Sequence, residues 1–267
     1  MLHLLRIDLK KLTSYRTFWV VCGLYFITLA FSTASGMEFL KWLARTFADF
    51  GSKLNINRIP LYHFPDVWLN LLWFSGLFKI VLAIMTVISI TNEYQYRTLR
   101  QNVIDGLSRW EFLLSKILTN VMLSLLSVAM IFLIAFVTGF IYTPEINWQY
   151  VFGDMEFLIA YFLEIFAFLS YALMLGVLIQ RSGLTIIVLL LSHMIEAIVR
   201  ENIDEQVPWL IEFFPMESIS NLVPLPYARY AFQEIRDYLT FGSVAIALGW
   251  TFLFNYFSFL KLKQSDI

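Results

Sequence analysis

The sequence is short of charge. Only 15% of its 267 residues are Asp, Glu, Lys or Arg, where a soluble domain carries about a quarter. That deficit excludes a chain built mainly from soluble domain. Cysteine is nearly absent. Cys22 is the single one, which excludes an intrachain disulfide and a cysteine cluster for zinc. It lies in an apolar run and indicates no redox compartment. Neither sign of charge dominates, since the net charge is −1. Bulk electrostatics therefore name no partner, only the placement of charge can, and nucleic acid is not expected as one. A phosphate loop of the form GxxxxGK[ST] is missing, as are HExxH and GxSxG.

What is present is apolar. Hydrophobic residues make up 59% of the chain and aromatic ones 18%, with a mean hydropathy of +0.70. They fall in runs of bilayer length, about 20 residues each. Six candidate spans cover 18–36, 67–90, 117–142, 157–179, 184–199 and 241–260, each expected to be a helix because lipid leaves backbone polar groups no other partner. The whole of 1–267 reads as one all-α membrane domain. The first run exceeds the ~7–15-residue core of a signal peptide, so it is expected to stay as a span. The fifth run is short, about 24 Å at helical rise against a hydrocarbon core of about 30 Å.

Charge placement orients the spans. With six crossings both termini share a side. That side holds eleven basic residues against five acidic ones, among them Arg6, Lys10, Lys11, Arg16, Arg97, Arg100, Arg109, Lys116, Arg181, Lys261 and Lys263. The other side holds seven basic and thirteen acidic residues. Both termini are therefore expected in the cytoplasm, with 37–66 and 200–240 outside. The first residues, "MLHLLRIDLKKLTSYR", place Leu2, Leu5, Leu9 and Leu12 on one helical face beside Arg6 and Lys10, as in a helix lying in the interface. Beyond the fifth run, Pro208, Pro215, Pro224 and Pro226 divide an apolar segment into pieces too short to cross. Such pieces suit re-entrant or interfacial helices packed on protein.

Between the second and third spans lies "NEYQYRTLRQNVIDGLSRWEFLLSK", 92–116. Asn92 is a candidate helix cap. Asp105-Gly106 is a stop signal, because glycine tolerates the left-handed conformation. Ser108 with Glu111 forms a capping box before an apolar run. The segment is expected to be a helical hairpin with Leu99, Val103, Ile104 and Leu107 as an apolar ridge among Arg97, Arg100 and Gln101.

This pattern resembles the ABC-2 type permeases of ATP-binding-cassette transporters, and its wording is especially like that of members from Bacteroidetes. An acidic residue leaves the second span (Glu93), followed by Arg97-Thr98, Leu99, the Asp105-Gly106 turn, Ser108-Arg109 and Lys116. The six-span layout, the N-terminal interfacial helix and the broken outer segment match as well, so the likeness covers nearly the whole chain. Two positions depart from the family pattern: it commonly has Gly-Thr at Arg97-Thr98, and often a proline before Ser-Arg where this chain has Gly106-Leu107. The resemblance implies a transmembrane subunit, paired with a second copy or a similar permease, in the bacterial inner membrane. The 92–116 loop would be the coupling helix gripping an ATPase subunit through Glu93, Arg97, Thr98, Leu99, Arg100, Val103, Ile104, Asp105, Gly106, Ser108 and Arg109. ATP and Mg²⁺ would be bound by that partner, with no cofactor on this chain. The cargo would be a lipid, a peptide or a drug-like molecule, exported.

Four ionisable residues sit inside spans: Lys79, Glu164, His193 and Glu196. At ~2.5–3.5 kcal/mol each for insertion they are expected to face protein or water. Depth favours Lys79 with Glu164, as a packing ion pair or as a gating element. Glu196 and Arg200, one turn apart, are candidates for a local pair. His193 and Glu196 fall short of a zinc ligand set, and no catalytic residue is assigned. Two other readings remain open. One is an intramembrane enzyme using His193 with Glu164 or Glu196; the other is a non-transporting immunity or sensor module on the same fold.

Overall fold

A computed structural model describes residues 2–46, 61–203, 207–226 and 238–264. The expected outer loop at 47–60, part of the broken outer segment at 227–237, and Asp266 lie outside the described residues. Helices and turns account for the rest, and no strand occurs among the described residues. A basic helix, α1 (Leu2–Ser14), turns at Tyr15 into α2 (Arg16–Thr46). Next come α3 (Asp66–Gly76), α4 (Lys79–Gln95) and the short α5 (Thr98–Ile104). Then follow α6 (Arg109–Tyr142), α7 (Trp148–Val151), α8 (Phe157–Ile179) and α9 (Ser182–Ile203). A 3₁₀ helix (Pro208–Phe213), α10 (Pro215–Ser220) and α11 (Phe241–Gln264) complete the order. Five helices are long and apolar enough to cross a membrane, or six if the bent pair α3–α4 is one span. This is a multi-pass membrane architecture.

Two spans differ from the sequence expectation. The second is not one straight helix: α3 and α4 meet at 43° across Leu77 and Phe78. No proline marks the break, but Ser75-Gly76 directly before it is the kind of pair at which helices kink. The fifth is not short. α9 has 22 residues, about 33 Å at helical rise, because it starts at Ser182 and continues past Arg200.

Helix α8 is the centre of the bundle. In it 61% of the membrane-length window is buried, against 11% for α9 and 28% for α2, and α11, α4, α6, α3 and α9 all pack on it. Its sequence, "FLIAYFLEIFAFLSYALMLGVLI", is apolar on every face, as a surrounded helix must be. The peripheral α9 instead exposes Ile187, Leu190, Leu191, Met194, Ile195 and Ile198, the apolar side that lipid or a partner covers.

Contacts between distant segments show which ends coincide. Asp8 of α1 meets Lys116 and Thr119 of α6, and the Arg109 guanidinium donates to the Lys263 carbonyl near the end of α11. α1, 92–116 and the end of α11 thus share one end of the bundle, the basic end. At the opposite end the Leu239 amide donates to Glu156 at 2.9 Å, and the Trp68 indole donates to the Val151 carbonyl at 2.9 Å.

Candidate functional site

The basic end is built around a buried knot of charge. Asp8, Glu93, Lys116 and Thr119 are each at most 5% exposed. Lys116 Nζ donates to Asp8 Oδ1 at 2.5 Å, Ser89 Oγ at 3.0 Å and Glu93 Oε1 at 3.2 Å. An ammonium has three protons, and here each has an acceptor. Thr119 donates to Asp8 Oδ2 at 2.6 Å. Glu93 Oε2 accepts from Thr98 Oγ1 at 2.5 Å and from Asn102 at 3.4 Å, and Lys11 lies 3.4 Å from both carboxylate oxygens. Lys11 also donates to Asn102 Oδ1 at 2.9 Å. Four helices, α1, α4, α5 and α6, are tied in this way. Two carboxylates and two ammoniums balance, so the knot leaves no uncompensated charge, the condition for burying ions.

Local sequence explains how the pieces reach one another. The capping box expected at Ser108 is present: Ser108 Oγ accepts the Glu111 amide at 3.2 Å, and Glu111 accepts the Ser108 amide at 2.9 Å. It starts α6 at Arg109 and sets the register of a polar stripe, Ser115, Lys116, Thr119, Asn120, Ser124 and Ser127, all buried. Gly106, with φ +97°, closes the α5 side of the turn, as expected. The cap expected at Asn92 does not form. α4 continues through it to Gln95, and the chain breaks instead at Arg97, whose φ of 55° and ψ of 21° are left-handed. Arg97 occupies the place where the resembled family commonly has glycine, and glycine is the residue that conformation favours.

The expected ridge divides. Leu99 is 3% exposed and packs inward with Ile90, Phe112, Leu113, Leu173, Val177 and Leu262. Glu93 and Thr98 also turn inward, into the knot. These three of the expected partner-gripping residues are held by this chain's own helices, because the α5 face nearest α4 and α6 must be covered. The outward set is Ile104, 70% exposed, with Arg97, Arg100 and Asp105 exposed, Val103 half-buried, and Gly106 and Ser108 at the turn. Arg109 is half-buried against α11. Tyr96 and Trp110 add aromatic surface at the same end.

A second constellation lies inside the bundle. Lys79, the first residue of α4 after the break, donates to Glu164 Oε1 on α8 at 2.6 Å, both side chains being buried. Gly76 makes room: a Cβ there would lie 2.9 Å from Glu164 Oε1. Lys79 Nζ also sits 5.2 Å from the centroid of Phe168, whose ring lies 5.8 Å from that of His193. His193 is thus one ring removed from the ion pair. Glu196 is engaged elsewhere, accepting the backbone amides of Met216 at 2.9 Å and Glu217 at 2.7 Å. The local Glu196–Arg200 pair does not form, since Arg200 reaches across to Glu217 Oε2 at 2.5 Å. Short helices between α9 and α11 supply that partner, each with proline in its first turn. Among the described residues no group of three or more His, Cys, Asp or Glu side chains is placed to hold a metal.

Sequence reasoning missed Asp8, Lys11, Ser89, Asn102 and Thr119 as members of the knot. The available signal was the stripe of polar residues at helical spacing in an otherwise apolar α6, together with the single acid in basic α1. Residues 18–267 match the model of the family described as "Protein of unknown function (DUF2705)". No curated protein matches the chain.

Proposed function

The chain belongs to the DUF2705 family, and from that premise we propose that it is the permease subunit of an ATP-binding-cassette transporter in the bacterial inner membrane. Two copies, or one copy with a similar permease, would pair with ATPase subunits that bind ATP and Mg²⁺. The cargo would be exported and amphipathic: a lipid, a peptide or a drug-like molecule. In this reading α5 is the coupling helix and α1 the interfacial helix, with both termini cytoplasmic.

The observation that carries the reading is the combination of a sticky outer face and a rigid inner one on α5. Ile104 and the arginines point away from the bundle, while Leu99, Thr98 and Asn102 bind α5 to α1, α4 and α6. A push on such an element moves four helices together. Binding energy at interfaces concentrates in a few residues buried on docking, often above ~2 kcal/mol each. Ile104→Asp should therefore abolish co-purification with the partner ATPase, while membrane insertion and melting temperature stay unchanged. Arg100→Ala should mainly alter association rate and salt dependence. Wild-type capture and ATPase stimulation by Ile104→Asp would sink the assignment.

A further inference from the structure

Helix α1 turns its acid and one of its bases inward. Asp8 is held by Lys116 and Thr119, and Lys11 by Glu93 and Asn102. What α1 shows outward is therefore of one sign. Arg6 and Lys10 are exposed one turn apart, on the side of α1 away from buried Asp8 and Leu12, and Arg16 is exposed at the first residue of α2. Among the described residues none of these three side chains has a carboxylate partner.

Their depth is that of a headgroup layer. Arg16 opens the membrane-length stretch of α2 that runs to Gly36. Beside it Tyr15 and Trp19 are exposed, and the Trp19 indole donates to the Thr13 carbonyl, at the end of α1, at 2.9 Å. Such amphipathic rings gather where hydrocarbon meets water. From Arg16 into the span, Val20, Ile27 and Phe31 follow at helical spacing on the same face of α2, and all three are exposed. One surface thus offers cations at headgroup depth and an apolar face along the depth of the tails. A soluble acidic partner would match the cations alone, whereas an anionic lipid matches both. We propose that the α1–α2 corner binds anionic phospholipid through Arg6, Lys10 and Arg16, with acyl chain along Val20, Ile27 and Phe31. This takes the reading of α1 as an interfacial helix further and does not involve the ATPase.

The test uses the purified full chain in nanodiscs of phosphatidylcholine, without ATPase, so that failure here and failure of ATPase capture are read separately. A bimane fluorophore is attached at Leu24→Cys in a Cys22→Ser background, because Leu24 is exposed on α2 next to the proposed tail path. Brominated phosphatidylglycerol or brominated phosphatidylcholine with the same acyl chains is then mixed in, and quenching is measured. Phosphatidylglycerol should reach half-maximal quenching at roughly a tenth of the mole fraction that phosphatidylcholine needs, and raised salt should shrink the difference. Arg16→Gln should lower the preference by about fivefold, and the triple change Arg6→Gln, Lys10→Gln, Arg16→Gln should abolish it at unchanged melting temperature. Arg181→Gln, which removes an exposed base between α8 and α9, should leave it intact. Equal quenching by the two lipids would overturn the site, and so would an equal loss from Arg181→Gln and Arg16→Gln, which is the mark of unspecific attraction. A preference that survives the triple change would overturn it too, and loss of ATPase capture by that variant would then assign the face to the ATPase. Potassium phosphate should relieve quenching no more than potassium chloride of equal ionic strength; greater relief would show that the cations bind free phosphate and not the lipid.

Discussion

Single residues here do work that substitution can isolate. Lys79 and Glu164 form a pair away from water, so removing one partner strands the other. Lys79→Met alone should lower stability by about 3–5 kcal/mol, whereas Lys79→Met with Glu164→Gln should restore most of that loss. A double-mutant cycle on melting in detergent measures the coupling, and additive effects would show that the two charges do not interact. Arg97 makes the opposite kind of statement. Its left-handed backbone costs an ordinary residue about 1–2 kcal/mol. Arg97→Gly should therefore raise stability by about 0.5–1 kcal/mol after the greater entropy of glycine in the unfolded chain. Arg97→Ala removes the same charge and should give no such gain. Equal behaviour of the two variants would show that charge and not backbone decides.

At the scale of elements, what was legible was local. The Ser108 box, the Gly106 stop and the 157–179 span are set by neighbours within a few residues, and each is found where the pattern puts it. The break between α3 and α4 was only partly legible: Ser75-Gly76 just before it is a pair at which helices kink, but the Lys79–Glu164 contact beside it joins residues 85 positions apart. Asn92 misled for a related reason: its capping chemistry was real, but α4 is held in register beyond it by Glu93 entering the knot. The ridge on α5 was read correctly as apolar and wrongly as one surface, because four apolar residues do not state which of them the parent chain covers. Leu99 and Ile104 now separate the two uses. Leu99→Ala should cost about 2–4 kcal/mol of stability, as large-to-small changes in packed sites do, and reduce ATPase capture only as far as the fold is lost. Thermal melting of Leu99→Ala and Ile104→Asp side by side checks this, and a larger loss for Ile104→Asp would reverse the assignment of faces.

For the molecule as a whole, contacts and charges answer different halves of one question. The contacts Asp8–Lys116 and Arg109–Lys263 bring α1, 92–116 and the end of α11 to one end of the bundle, but no contact says which compartment that end faces. The excess of lysine and arginine supplies the direction, since basic segments flanking spans stay in the cytoplasm. The two together make a prediction that neither makes alone. Gln101 is exposed at the basic end and Glu145 at the opposite end, and Cys22 is buried. In a Cys22→Ser background, Glu145→Cys should react with a membrane-impermeant thiol reagent added to intact cells. Gln101→Cys should react only after the membrane is opened. Because α6, long enough to cross the membrane, separates the two positions, labelling of both from outside would contradict the bundle itself. Labelling of Gln101→Cys alone would keep the bundle and invert it, placing α5 where no cytoplasmic ATPase reaches it.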